Sequence, residues 1–483
     1  MPMRGVQSPQ RSPVSRIAFK GLEAISFNSS GSFAPTLASS EFLLGEPKFS
    51  DWAKLLFSQQ LSHDHPLDRW MLVSMSRTIK STTGLSRQFL NLVVAHHVPG
   101  IKSLRFLNLK REQLFNPTPL PPTAPTDVDR FESTTPQDAT SQTPPTESFM
   151  MERIRLPGPS FQFQSCNSQG LGWNISCFPL SDRRVVCMDQ SGLNFLFDGV
   201  TRHIVTMPIL HIPKTRPISL FIPSTDVIGG GSLFLVDRIP RQCSNTVEFE
   251  SLVYRKTGFC NTNSWHGQLL PSPPYAHDPS YWSHRSEISS YTVVGGGSHI
   301  CISVKDVGTY CLDTVSHTWS QVGKWTLPFS GKVEYIPELK LWFGLSANGQ
   351  QVAAADLSSL SNAARDSSAM EIQPELLGSW MELTLPEGWK ERKKAQLVNL
   401  GSGRFCISRF FRITTISDSS EFLDYEFSVL TGVEMVPLVD NDTGNAISSG
   451  SGDGSKGKIK LKMIPHKSRF HSPVNEITIE EVF

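Results

Sequence analysis

No stretch of this sequence approaches the ~18 uninterrupted apolar residues that a membrane-crossing helix requires, and its first residues lack the apolar core of a secretory signal. The expectation is a chain without a membrane partner, working in the cytoplasm or nucleus. An excess of either charge is missing as well: 45 Lys and Arg stand against 44 Asp and Glu. Without a net field over the surface, nucleic acid is not an expected partner. The eight cysteines contain no C-x-x-C pair and no histidine at finger spacing, which excludes a zinc framework. Also absent are a P-loop, a G-x-G-x-x-G turn opening a helix, H-E-x-x-H, a G-x-S-x-G nucleophile elbow and an EF-hand loop. No catalytic residue, cofactor or metal ligand is therefore assigned.

What the sequence does contain is punctuation. Gly and Pro stand at 34 each and aromatics at 10%, a balance that suits many short strands joined by tight turns. Residues 1–85 read as a largely disordered, flexible N-terminal extension with one helix around Asp51 to Leu61, which Asp51 would cap. Arg4, Arg11, Arg16 and Lys20 precede its first acid, Glu23, a pattern shared by organelle transit peptides and disordered basic leaders. Residues 86–115 read as a hairpin, LNLVV and SLRFLNL on either side of Pro99-Gly100. Residues 116–148, crowded with Pro and Thr, cannot bury enough surface to offset the entropy of ordering and read as a linker or extruded loop. Strands then fill residues 149–438, a low-complexity loop covers 439–457, and 458–483 supply a C-terminal strand and tail in which KIKLKMI alternates.

The strands come in fours. The clearest unit runs from Ile288 to Val322 as SSYTVV, HICISV, TYCLD and TWSQV, the content of one propeller blade. Others begin at NISCFPL and PISLFI, at GKVEYIP, where Val333 and Tyr335 alternate on one strand, and at KAQLVNL. The last of these continues through RFCISRF, FLDYEFSVL and GVEMVPL as separate strands. Gly229, Gly230 and Gly231 in one unit and Gly295, Gly296 and Gly297 in another are expected where backbones crowd together. Trp265, Trp319 and Trp380 end three units and are expected between neighbouring sheets. Cys187, Cys301 and Cys406 sit in RVVCMD, HICISV and RFCISRF, as small buried residues of equivalent strands. KIKLKMI is expected to pair with the 86–115 hairpin and close the ring. The fold class is all-β, a β-propeller of six four-stranded blades, five or seven remaining compatible.

Several phrases carry a family resemblance: QFLNLVV, VVCMDQSG, TMPILHIPKTRPISL, GTYCLDTVSHTWSQVGKWTLPFSGKVEYIPELKLWFG, RFCISRFF and IPHKSRF. Together they resemble a family of uncharacterised plant proteins, expanded in grasses and defined as a domain of unknown function. The order glycine cluster, Tyr310, Asp313, Trp319 is similar to the kelch pattern. The resemblance implies a kelch-like propeller and names no ligand. The long N-terminal extension and the Pro/Thr insertion depart from it.

The expanded loop PSPPYAHDPSYWSHRSE holds the candidate partner-binding residues Tyr275, His277, Tyr281, Trp282 and His284, because aromatic residues dominate hot spots and scaffold loops carry function. The competing reading folds them back onto the blades. His266, His277, His284 and His299 lack the spacing of a metal cluster. The expected function is a non-enzymatic protein-interaction propeller, an adaptor or substrate-recognition module for an unidentified protein partner. Carbohydrate binding through exposed Trp and Tyr, and an enzyme with its site in the central channel, are the alternatives.

Overall fold

A computed structural model describes residues 17–19 (backbone only), 85–116, 151–165, 173–225, 230–239, 249–257, 262–281, 286–366, 372–416, 422–438, 460–473 and 477–483. The expected helix around Asp51 to Leu61, the 116–148 linker beyond Asn116 and the 439–457 loop lie outside them. Among the described residues no helix is long and apolar enough to cross a membrane.

The second strand of a typical unit is apolar at consecutive positions, so it carries an oily surface on both faces and needs cover on both sides. Blade 1 is β6 (Ile175–Pro179), β7 (Arg184–Asp189), β8 (Asn194–Asp198) and β9 (His203–Thr206). Blade 2 is β10 (Pro217–Pro223), β11 (Gly231–Asp237), β12 (Phe249–Lys256) and β13 (Asn263–Leu270). Blade 3 comprises β14 (Ile288–Val294), β15 (His299–Val304), β16 (Gly308–Asp313) and β17 (Trp319–Gly323). Blade 4 comprises β18 (Phe329–Ile336), β19 (Leu341–Ser346), β20 (Val352–Ala355) and β21 (Gly378–Trp380). These two join through β14 and β18 into one eight-stranded sheet.

Blade 5 is β22 (Lys390–Gly401), β23 (Arg404–Ile416), β24 (Phe422–Pro437) and β25 (Leu461–His471), with β4 (Glu152–Arg153) added in parallel outside β25. Blade 6 takes β26 (Thr478–Val482) from the C-terminal segment and β2 (Phe89–Ala95), β3 (Ile101–Asn108) and β5 (Phe161–Ser165) from the N-terminal side. β1 (Ile17–Phe19) pairs outside β5, so the N-terminal extension contributes one strand.

Two expectations are corrected here. FLDYEFSVL and GVEMVPL are one strand, β24: the glycine between them, Gly432, makes no turn, and a Cβ there would stand 2.5 Å from the Leu114 carbonyl oxygen. With that place filled, the segment after KIK does not close the ring. It pairs with β24 from Pro437↔Leu461 to Ser428↔His471 and completes blade 5. Closure falls to β26, paired with β2 at Leu92↔Val482 and Ala95↔Thr478.

Alternation along the middle strands distributes side chains into six buried clusters, each shared by two neighbouring sheets. Leu104 and Phe163 of blade 6 meet Phe195 and Phe197 of blade 1, while Met188 and Leu196 on the other face of blade 1 meet Leu233 and Leu235. Phe234 and Val236 meet Ile300 and Ile302; Cys301 and Val322 meet Trp342 and Ala353. Leu341 and Phe343 meet Phe405 and Ile407, and Cys406 and Leu430 meet Leu90 and Leu92, returning to blade 6. The circuit is complete, which is what makes the architecture a propeller.

Trp265 packs in the cluster between blades 1 and 2. Trp319 packs between blades 2 and 3, where its indole N–H donates to the Pro271 carbonyl at 2.8 Å. Trp380 lies against the cluster between blades 4 and 5. Asp313 accepts from the Val315 and Ser316 amides at 2.8 and 2.7 Å and so fixes the β16–β17 turn. Tyr310 is buried, and burial pushes its phenol up to about 12. Cys187, Cys301 and Cys406 are buried. Cys301 also forms a disulfide with its cross-strand neighbour Cys311.

The connection from β9 to β10 is tied down by a buried carboxylate. Glu250 of β12 accepts from the amides of His211 at 2.8 Å and Ile212 at 3.1 Å and from Lys214 Nζ at 2.8 Å. Both ionic side chains are 1% exposed. Burial pushes the Glu250 carboxyl up, but Lys214 and the amides outweigh it and hold it below its usual range. Glu250→Gln should strand the Lys214 charge and cost about 3–5 kcal/mol, read from the urea midpoint. Because the carboxyl is depressed in the folded state, its contribution is present above the unfolded value of 4.5 and fades as pH falls. The deficit of the variant should therefore shrink below that pH, and a constant deficit would contradict the assignment.

Candidate functional site

β18 is the irregular strand of the ring. It pairs with β19 at Phe329↔Ser346 and Ser330↔Leu345, then resumes only at Glu334↔Phe343. In between, Gly331, Lys332 and Val333 pair in parallel with Ser290, Tyr291 and Thr292 of β14. Gly331 takes a φ of 81°, a backbone conformation that a side chain would strain. Such a bulge re-aims side chains. Val333 enters the cluster between blades 3 and 4, Ile336 the cluster between blades 4 and 5, and Tyr335 stays 42% exposed. Val333 and Tyr335 therefore do not share a buried face, contrary to the simple alternation of the sequence.

Where the β14–β18 pairing ends, a cavity of about 880 Å³ opens. Its walls are Phe221 and Ile222 of β10, Val293 and Val294 of β14, Tyr335, Trp342, and the helix α1 (Ser358–Arg365) through Ser358 and Ser361. Gly295, Gly296 and Gly297 line it as well. They form a turn with φ of 62°, 65° and 105°, and at Gly297 a Cβ would stand 2.9 Å from Ile222 of blade 2. Gly230 and Gly231 lead into β11, while Gly229 lies outside the described residues.

A second cavity, about 590 Å³, is the central channel: Pro179, Ser219, Tyr291, Lys332, Leu397 and Glu481 reach it from the inner strands of all six blades. Phe221, Lys332, Glu334 and Asn399 line both spaces. Lys332 and Glu334 form an ion pair, crowded by protein yet 42% and 32% exposed, as groups lining a wet channel should be. Burial disfavours both charges, but their mutual attraction outweighs it: Lys332 is shifted up and Glu334 down. Arg87 stands 3.7 Å from Asp182. Lys102 holds Glu480 at 2.7 Å. Burial draws Lys393 down to about 8 and pushes Glu481 up to about 6.

Of the expected partner-binding residues, Tyr275 is buried, its ring 5.6 Å from that of Tyr310, and Tyr281 packs against the same cluster between blades 2 and 3. The apolar rings have more to gain there than in water, so Tyr275 is a core residue, not a recognition residue. His277 is exposed, at the end of a short 3-10 turn; Trp282 and His284 lie outside the described residues. The described histidines of the set, His266, His277 and His299, lie on three different elements. His299 is buried in β15 beside Ser298 at 2.8 Å, whereas His266 bonds Ser264 in β13. Among the described residues no three His, Cys, Asp or Glu side chains are grouped to hold a metal.

Outside the channel, β9 is exposed along its whole length. Ile204 and Val205, which point to opposite faces, are 43% and 45% exposed, and Val200 and Ile209 flank them in the open. The outer edges of blades 5 and 6 are covered by β4 and β1; in the described residues β9 ends its sheet.

The raised Glu481 carboxyl has a measurable consequence. Folding binds its proton more tightly than the unfolded chain does, so stability is lost as pH rises from about 4.5 through about 6. Glu481→Gln should add on the order of 1–2 kcal/mol at pH 7.5, seen as a higher Tm, and nothing at pH 4.5. An equal gain at both pH values would refute the burial assignment.

Comparison with other proteins gives a family and a general likeness. No curated protein matches the chain. Among solved structures, the β-propeller domain of Cps50 (Swd1) from Myceliophteria thermophila is 9% identical with a TM-score of 0.30, covering 52% of this chain and 77% of that one. An auxiliary nutrient binding protein from Bacteroides thetaiotaomicron is 10% identical at a TM-score of 0.29, over 52% and 56% of the two chains. BamB from Moraxella catarrhalis is 11% identical at 0.22, over 52% and 79%. The fold assignment rests on the sheet order and the six interblade clusters of this chain. The pattern of the family described as "Protein of unknown function (DUF1668)" matches residues 87–471, and the chain belongs to that family.

Proposed function

We propose that the chain is a non-enzymatic protein-interaction propeller that docks an extended, apolar segment of a partner protein along β9. The observation that carries this reading is the open edge itself: a strand exposed on both faces, with Ile204 and Val205 on its two sides and no further strand beyond it among the described residues. Exposed edges invite pairing, and natural proteins usually blunt them with charge, proline or a covering segment. The fold itself accepts a fifth strand at the outer edges of blades 5 and 6. A partner strand on β9 would repeat that arrangement between chains, main-chain hydrogen bonds giving affinity and the alternating side chains specificity. An adaptor or substrate-recognition role follows from such docking.

The paired charges of the channel fit the non-enzymatic half of the reading: Lys332 is held by Glu334 and Arg87 by Asp182, which fixes those groups in place, while Glu481, pushed up to about 6, is the channel carboxyl that the turnover test below must find inactive.

The test is affinity capture with the full chain and with the double variant Ile204→Lys, Val205→Lys. Substitutions on an exposed strand should leave stability within about 0.5 kcal/mol, while the proteins held by the wild type should drop at least tenfold. Capture of the same proteins by both chains would remove β9 from the interface. Turnover by the purified protein across a hydrolase and oxidase panel would overturn the non-enzymatic assignment.

A further inference from the structure

Docking at β9 leaves the cavity at the seam of blades 3 and 4 without a role. We infer that this cavity is a binding site for a neutral, polyhydroxylated ligand, a short saccharide of one to a few sugar rings. The volume, about 880 Å³, lies in the range of sites that enclose small molecules. More telling is the distribution of chemistry on its walls.

One wall is a braced aromatic platform. Tyr335 and Trp342 stand with ring centroids 4.6 Å apart, and the Trp342 indole N–H is fixed on the Val293 carbonyl at 3.1 Å. Trp342 is buried and Tyr335 lies over it with 42% of its surface open. A flat ring held this way meets the C–H face of a sugar, apolar on that side and hydroxyl-bearing at its margin.

The remaining walls suit that margin. Lys332 donates, Glu334 accepts, and the Asn399 amide and the Ser358 and Ser361 hydroxyls do both. Since Lys332 and Glu334 neutralise each other, an anion would meet Glu334 and a cation Lys332. A ligand that both donates and accepts without net charge meets neither penalty. Nucleotides and sugar phosphates are disfavoured on this ground. The Gly295–Gly297 turn supplies a rim of bare backbone, and nothing lies within 4 Å of a Cβ placed on Gly296, so a ring can come close to the main chain there.

The experiment is calorimetric titration of the full chain with glucose, galactose, mannose, xylose and arabinose, and with cellotetraose, xylotetraose and mannotetraose. At least one should bind, with the affinity falling tenfold or more in Tyr335→Ala and staying within about threefold in Tyr335→Phe, at unchanged Tm. No binding by any member of the panel overturns the inference, and so does saccharide binding that Tyr335→Ala leaves intact. If the panel is silent and Tyr335→Ala instead releases the captured protein partners, the cavity is a peptide pocket and the saccharide assignment fails. The β9 double variant separates the two proposals: it should lose the protein partner and keep the sugar.

Discussion

A sheet that is oily on both faces cannot be the last sheet of a stack. That constraint governs this molecule. β7, β11, β15, β19 and β23 each carry apolar residues at consecutive positions, and alternation sends one set to the preceding blade and the other to the following one. A two-layer sandwich would cover one face of each sheet and leave the other wet. Only a closed circuit provides every sheet with two neighbours, and the six shared clusters are that circuit.

Closure brings the inner strands together around an axis, where the side chains that do not enter the interblade clusters collect, several of them charged. In the channel Lys332 is matched by Glu334 and Arg87 by Asp182, and in one place the geometry yields: β18 detaches from β19 for three residues and joins β14 instead. The cavity opens beside that detachment. Lys332 belongs to the detached stretch and Tyr335 to the resumed ladder opposite Trp342, and both line the cavity. The candidate site is thus a local failure of the repeat, compensated by hydrogen bonds to the neighbouring blade.

Much of the ring was legible in the sequence because its causes are local. RVVCMD, SLFLVD and HICISV announce strands buried on both faces, and DTVSH announces a turn through the side chain of Asp313 accepting two amides. The closing strand was not, since KIKLKMI alternates more cleanly than TIEEV, and only pairing across hundreds of residues decides between them. Gly432 looked like a turn and serves a close approach to Leu114. Nothing in GKVEY reveals that β14 replaces β19 as the neighbour of Gly331, Lys332 and Val333. The aromatic loop was visible as a composition, but Tyr275 answers to Tyr310 and the core beneath it. The cavity lay hidden for the same reason: its residues come from β10, β14, β18, β22 and α1.

The place of β26 in the chain has a consequence for biosynthesis. Every other strand of the ring precedes it, so a nascent polypeptide can assemble five blades and three-quarters of the sixth while β2 still lacks its inner neighbour. A ribosome that stops before residue 478 leaves an open arc with an unpaired interior edge, the kind of surface that chaperones and proteases detect. Closure thus waits on β26: until residues 478–482 have been made, the interior edge of β2 stays without its partner strand.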